Sequence, residues 1–106
     1  MASKRPGYAY IWEYSVRPEC VAEFEEAYGP SGVWVELFKR AEGYVGTELH
    51  RDRRDVNRYV TIDYWESVGA WEAFRAKMSS EFEAIDARCE RLTLGEREIG
   101  QLDPIG

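Results

Sequence analysis

The chain has 106 residues, of which 44% are hydrophobic, so it can bury the core of a single domain and is too short for several. Its formal net charge of -6 argues against a nucleic-acid or anionic-membrane partner, because binding phosphate needs a basic surface. Two cysteines without CxxC spacing and a single histidine predict reduced thiols and no metal site. No run approaches the ~20 apolar residues of a membrane span, and no apolar run of signal-peptide length follows the N-terminus, so we expect a cytoplasmic protein.

The first predicted element is a strand over residues 8–16, preceded by a disordered or extended segment, residues 1–7. Aromatic residues at every second position are typical of a strand. One face of it carries Tyr8, Tyr10, Trp12, Tyr14 and Val16. Pro18 and Glu19 then predict the start of a helix, because proline is tolerated in a first helical turn and an acidic residue there suits the helix dipole.

A short helix and a hairpin are predicted next. Gly29 and Pro30 break the first helix, and Ser31 can cap a second, short one that Gly43 stops. Residues 44–51 then read as a strand, and the polar stretch 52–57 turns the chain into a third strand that ends at Trp65.

The second half of the chain is a long helical segment followed by a strand. Ser67 can cap the helix, and apolar residues recur after it at steps of three or four. These residues are Trp71, Phe74, Met78, Phe82, Ile85, Cys89 and Leu92. They predict one amphipathic helix, or two in line. A weaker strand follows over residues 93–102, and residues 103–106 form a tail.

The element order β-α-(α)-β-β-α-β predicts an α+β, ferredoxin-like domain over residues 8–102, in which helices cover one face of a four-stranded antiparallel sheet. In the third strand, Val60, Ile62 and Tyr64 alternate with Tyr59, Thr61, Asp63 and Trp65. Neither face is polar throughout. We therefore expect a second copy of the chain to cover the open face of the sheet, forming a homodimer.

Several segments resemble the antibiotic biosynthesis monooxygenase (ABM) family of the dimeric α/β-barrel superfamily. The strongest is Tyr64-Trp65-Glu66-Ser67 followed by a helix with Phe74 and the segment Ser80-Glu81-Phe82. The others are Val16-Arg17-Pro18-Glu19 leading into a helix with Phe24, and the entry Glu42-Gly43-Tyr44 to the second strand. The resemblance extends over about residues 8–102.

The resemblance implies two sheets packed face to face in a dimeric α/β barrel, with a pocket between sheet and helices in each subunit. It implies a substrate-lining role for Trp65, while Thr61 and Trp71 stand where the cofactor-free monooxygenases have asparagine and tyrosine. The helix after Ser67 has no histidine to ligate haem iron, so haem degradation is not expected, and no cofactor is expected. Family membership determines the fold better than the function.

The aromatic residues predict a cleft that could bind a small, flat aromatic molecule. Its candidate lining is Trp12, Tyr14, Thr61 and Trp65 from the sheet with Phe24, Trp34 and Trp71 from the helices. We expect a volume of about 300 Å³ or more if the cleft is a binding site. The competing interpretation is that these aromatics only fill the core.

Asp63 and His50 are the candidate catalytic bases. Asp63 lies mid-strand on the Trp65 face, where a buried carboxylate needs a partner or a raised pKa, and it could take a proton from a phenol or enol. His50 titrates near neutral pH. Against these roles, Asp63 could pair with an arginine or meet solvent, and His50 could be a surface or dimer contact.

Three functions fit these patterns. The first is a cofactor-independent monooxygenase of an aromatic or quinone-like substrate. The second is a non-catalytic dimeric binding or stress-associated module. The third is a cofactor-free isomerase or decarboxylase-like relative.

Overall fold

The computed structural model describes residues 5–105, which form a four-stranded antiparallel sheet with its helices on one side. In chain order the elements are β1 Tyr8–Val16, a 3₁₀ turn Pro18–Cys20, α1 Val21–Tyr28, α2 Val33–Phe38, β2 Tyr44–Arg51, β3 Arg58–Trp65, α3 Val68–Lys77, α4 Ser79–Cys89, a 3₁₀ turn Glu90–Leu92 and β4 Thr93–Leu102. The strand order β2-β3-β1-β4 confirms the predicted ferredoxin-like arrangement. Of the predicted terminal segments, residues 1–4 and 106 lie outside the described residues.

Alternation along the strands divides the sheet into a covered face and an open face. On the covered face, which packs against the helices, lie the buried residues Tyr8, Tyr14, Val16, Tyr59, Thr61 and Trp65. The open face carries the half-buried Ala9, Ile11, Glu13, Val60 and Ile62. No element among residues 5–105 lies over the open face. That a second copy covers it stays a prediction.

The segment predicted as one or two helices forms two. The Ser67 hydroxyl caps α3 by accepting a hydrogen bond of 3.0 Å from the Ala70 N–H, as predicted. Met78 leaves the helical conformation, with φ -111° and ψ 25°, and α4 starts at the next residue. Phe74 of α3 and Phe82 of α4 pack in the same core cluster on either side of this break, with 6.3 Å between their ring centroids.

The prediction that Ser31 caps the short helix was wrong. The residue before α2 is Gly32, and no side chain caps this helix. A Cβ at Gly32 would lie 2.2 Å from the Ala27 carbonyl oxygen, so the chain turns too tightly there for any side chain. Position 43 also has no space for a side chain. A Cβ at Gly43 would lie 2.2 Å from the Ala70 Cβ, where the chain enters β2 beside α3.

Candidate active site

A cleft of about 260 Å³ opens between the covered face of the sheet and the helices. It is slightly smaller than the expected volume. Every strand and helix contributes to its lining, which comprises Tyr10, Trp12, Tyr14, Tyr28, Trp34, Phe38, Thr47, Thr61, Asp63, Trp71, Arg75, Phe82, Asp86 and Glu96. The aromatic residues therefore do not fill the core completely, and the cavity they leave lies just below the range of about 300–1,000 Å³ that is typical of small-molecule sites.

The walls of the cleft are aromatic rings that pack against one another edge to face. The Tyr10 ring of β1 meets the Trp71 ring of α3 edge-on, with 5.1 Å between centroids. On the helix side, Trp34 and Phe82 are 4.9 Å apart in a similar arrangement. Such contacts fix the orientations of the rings that line the cavity. This geometry suits a planar ligand.

Asp63 places a carboxyl group on the sheet wall of this apolar cleft. Its side chain is half-buried, and its Oδ1 accepts a hydrogen bond of 2.7 Å from the Thr47 hydroxyl on β2. Burial raises the pKa of Asp63 to about 6, and the hydrogen bond from Thr47 opposes part of that rise. No ion pair neutralises Asp63 within residues 5–105. A carboxylate in this state can exchange a proton near neutral pH.

A second polar pair lies beside Asp63 on the same wall. The hydroxyls of Tyr14 and Thr61 are 3.1 Å apart, and Thr61 is only 3% exposed. Burial raises the pKa of Tyr14 above its ordinary value, so this phenol stays protonated. The pair can offer a hydrogen bond to a ligand oxygen.

Charged groups lie on the helix side and at the mouth. The Arg75 guanidinium stacks over the Phe82 ring at 3.9 Å, and its Nη1 has no hydrogen-bond partner among the described residues. Asp86 of α4 and Glu96 of β4 also line the cleft. Burial raises the pKa of Glu96, and so do the nearby carboxylates of Asp86 and Glu90. The mouth is therefore acidic.

Comparison with known proteins places this architecture in a family. The profile described as "Antibiotic biosynthesis monooxygenase" (ABM) matches residues 8–87, from the first residue of β1 almost to the end of α4. The chain belongs to the ABM family. The resemblance inferred from the segments around Trp65 and Pro18 is thereby confirmed, although the matched region ends before β4. No curated protein sequence matches the chain significantly.

Solved structures with the same fold include ABM relatives. SnoaB, a cofactor-independent oxygenase from Streptomyces nogalater, is 22% identical with a TM-score of 0.77, and 96% of each chain is covered. A putative antibiotic biosynthesis monooxygenase from Bordetella bronchiseptica is 22% identical with a TM-score of 0.73, covering 95% of this chain and 99% of that one. Another from Nitrosomonas europaea is 14% identical with a TM-score of 0.72, covering 93% and 99%. At these identities the likeness shows the fold.

In this ABM chain the cleft brings together most of the candidate residues. Those that line it are Trp12, Tyr14, Trp34, Thr61, Asp63 and Trp71. Their shared position follows from strand pairing, which sets Trp12 opposite Thr61 and Tyr10 opposite Asp63, and from the docking of α2 and α3 over them.

Two candidate positions lie elsewhere. Trp65, expected to line the cleft, is 0% exposed behind its wall, because Phe38, Trp71 and Phe74 pack over it at ring distances of 5.2–5.7 Å. Phe24 is likewise buried in the core and lies outside the lining.

His50 is not brought to the cleft. It pairs with Val60 across β2 and β3, so its side chain lies on the open face, on the opposite side of the sheet from Asp63. It is exposed, and its Nε2 lies 3.1 Å from Glu48 Oε1. The surface position was the competing interpretation of this residue.

Sequence reasoning missed Thr47, Arg75, Asp86 and Glu96. Thr47 could have been found, because it lies on the parity of β2 that faces Asp63. The other three depend on how α3, α4 and β4 dock, for which the sequence pattern offers no signal. Within residues 5–105 no group of His, Cys, Asp or Glu side chains could hold a metal ion, and no helix is long and apolar enough to cross a membrane.

Proposed function

We propose that this protein is a cofactor-independent monooxygenase that binds a neutral, flat aromatic substrate in the cleft and uses Asp63 as its catalytic base. The observation that carries the proposal is the Asp63 carboxyl group, which lies among aromatic walls with a pKa near 6 and no neutralising partner within the described part of the chain. The ABM family and the cofactor-independent SnoaB fold support the same chemistry.

The reaction begins when Asp63 removes a proton from an acidic C–H or O–H bond of the substrate. The electron-rich anion then transfers electrons to dioxygen, and a carbon–oxygen bond forms. The peroxide that results takes up a proton, its O–O bond breaks, and the second hydrogen leaves the same carbon. A CH₂ group and O₂ thus become a C=O group and water, with every electron supplied by the substrate.

Arg75 is the group best suited to stabilise the anion. Proton transfer to Asp63 moves negative charge from the sheet wall onto the substrate, and the Arg75 guanidinium lines the same cavity from α3. A positive charge close to developing negative charge in a largely apolar cleft lowers the barrier. The acidic side chains of Asp86 and Glu96 favour a neutral substrate over a carboxylate at the mouth.

Oxygen uptake with flat phenols, hydroquinones and anthrone tests this proposal. We expect uptake above the uncatalysed rate for at least one compound, one ¹⁸O atom from ¹⁸O₂ in the product, and a loss of about 10²- to 10⁴-fold in Asp63→Asn. His50→Gln is the matched control and should keep the wild-type rate, because His50 lies on the opposite face.

The other outcomes identify other functions. Substrate turnover without oxygen uptake would indicate an isomerase or decarboxylase-like enzyme using the same base. Saturable binding near Trp71 with no turnover of any compound would indicate a binding module. Equal activity of wild type and Asp63→Asn would refute the role of Asp63.

We also propose that the open face packs against that of a second copy to form the homodimer. Its half-buried Ile11, Val60 and Ile62 form an apolar strip across β1 and β3, flanked by charged side chains such as Glu13 and Arg58. Sedimentation at micromolar concentration should show a dimer for the wild type and a monomer for Ile62→Glu. A monomeric wild type would exclude the dimer and, with it, the barrel.

A further inference from the structure

Three side chains form a continuous hydrogen-bonded chain that ends on the carboxyl group of Asp63. The Tyr44 hydroxyl lies 2.7 Å from Thr47 Oγ1, and Thr47 Oγ1 lies 2.7 Å from Asp63 Oδ1. Tyr44 and Thr47 belong to β2, and Asp63 lies directly opposite Thr47 on β3. The chain therefore runs from the buried start of β2 to the wall of the cleft.

A β-bulge makes this chain possible. Residues three apart on a regular strand point to opposite faces, so Tyr44 and Thr47 would normally be separated by the sheet. The register of β2 against β3 shifts between Tyr44 and Gly46, which returns both side chains to the covered face. Bulges that re-aim a side chain are common next to active sites.

The direction of the hydrogen bonds follows from the chemistry of the groups. An ionised carboxylate only accepts, so the single Thr47 hydroxyl proton points to Asp63. The Tyr44 phenol must then donate to Thr47. Burial raises the pKa of Tyr44, and the nearby carboxylate of Asp63 raises it further, so Tyr44 keeps its proton as a donor. Both donors are thus oriented toward the ionised form of Asp63.

We propose that Thr47, supported by Tyr44, is the positioning residue of the catalytic base. Its hydrogen bond holds Oδ1 of Asp63, fixes the plane of the carboxylate and leaves the other oxygen for the substrate proton. It also stabilises the ionised form of Asp63 inside an apolar cleft, so that the base is charged when the substrate arrives. This inference rests on the proposed function, because Thr47 acts through Asp63.

Other titratable groups line the same cleft as Asp63, on the sheet wall or on the helix side. They are Tyr10 and Tyr14 of β1, Tyr28 of α1, Arg75 of α3, Asp86 of α4 and Glu96 of β4. Replacing Thr47 by valine removes none of these groups. Valine has nearly the same shape as threonine and lacks only the hydroxyl group. The difference between wild type and Thr47→Val therefore isolates the hydrogen bond.

The test is a titration of the Asp63 carboxyl carbon followed by ¹³C NMR in the substrate-free protein. We expect its pKa to rise by about one unit in Thr47→Val, to stay at the wild-type value in Thr47→Ser, and to rise by less in Tyr44→Phe. Where activity is measurable, the acidic limb of the kcat/KM profile should move to higher pH in Thr47→Val by the same amount.

An unchanged Asp63 titration in Thr47→Val, with the amide spectrum showing a folded protein, would overturn the inference. An unchanged titration in Tyr44→Phe would remove Tyr44 from it. A shifted titration in a protein that consumes no oxygen with any compound would keep the role of Thr47 and refute the proposed function. The two proposals can therefore fail separately.

Discussion

The two faces of the sheet shift the pKa of a carboxyl group in opposite directions. Glu13 of β1 lies on the open face and accepts hydrogen bonds from Arg97 at 2.5 Å and from Arg58 at 2.7 Å. These two arginines lower the pKa of Glu13, whereas burial raises the pKa of Asp63 on the covered face to about 6. The two strands are hydrogen-bonded neighbours.

The difference shows which carboxylate can do chemistry. An acid paired with two cations is held in its charged form and has little tendency to take a proton. An acid enclosed by aromatic rings with one neutral donor keeps its proton affinity near neutral pH. On the open face, ion pairs between Glu13, Arg58 and Arg97 link neighbouring strands. On the covered face, the Asp63 carboxylate has no cationic partner among residues 5–105 and lines the cleft that a ligand can enter.

The largest expected difference between the faces concerns packing. Trp65→Ala should lower the free energy of unfolding by about 3–5 kcal/mol, because it leaves a cavity among Phe38, Phe74 and Trp71. Ile62→Ala on the open face is the control and should cost less at low protein concentration. Urea denaturation measures both, and equal losses would contradict the distinction between the two faces.

Asp63→Asn should stabilise the folded protein at pH 7.5 while lowering its activity by about 10²- to 10⁴-fold. The folded pKa of Asp63 is raised from 3.8 to about 6, so the folded state binds the proton more tightly, and stability falls as pH rises through this window. Removing the charge recovers that loss, on the order of 2 kcal/mol after allowing for the solvent that reaches the side chain. The gain should be absent at pH 3.5.

Thermal unfolding of wild type and Asp63→Asn at the two pH values measures this effect. A variant that is less stable than wild type at pH 7.5 would show that the Asp63 charge is satisfied in the folded protein.

Glu13→Gln should have the opposite sign and a smaller size. The folded pKa of Glu13 is lowered, so its contribution to stability is present above the pKa of the unfolded chain and is lost as pH falls. The variant should therefore be less stable than wild type at pH 7.5 and equal to it in strong acid. Salt should reduce the difference, because the Arg97 partner is exposed. A loss that is insensitive to salt and pH would point to packing instead.

Much of the fold could be predicted because its signals are local. The alternation of aromatic residues over 8–16, the cap at Ser67 and the apolar steps from Trp71 onward each depend on neighbours within a few residues, and the structure confirms them. The error in the fold was a local one, the cap of α2, which was assigned to Ser31. Gly32 takes this position because the preceding helix leaves no space for a side chain there.

The sequence by itself determined the order of elements, the family and the parity that sets Asp63 on the face of Trp12 and Tyr14. Tertiary structure alone decided which residues of that face line the cleft and which are buried behind its wall. Phe38 and Phe74 bury Trp65 out of the cleft, while α3 brings Arg75 to it. The bulge in β2 joined Tyr44 to Thr47 and Asp63, because register depends on pairing between strands and not on the pattern within one.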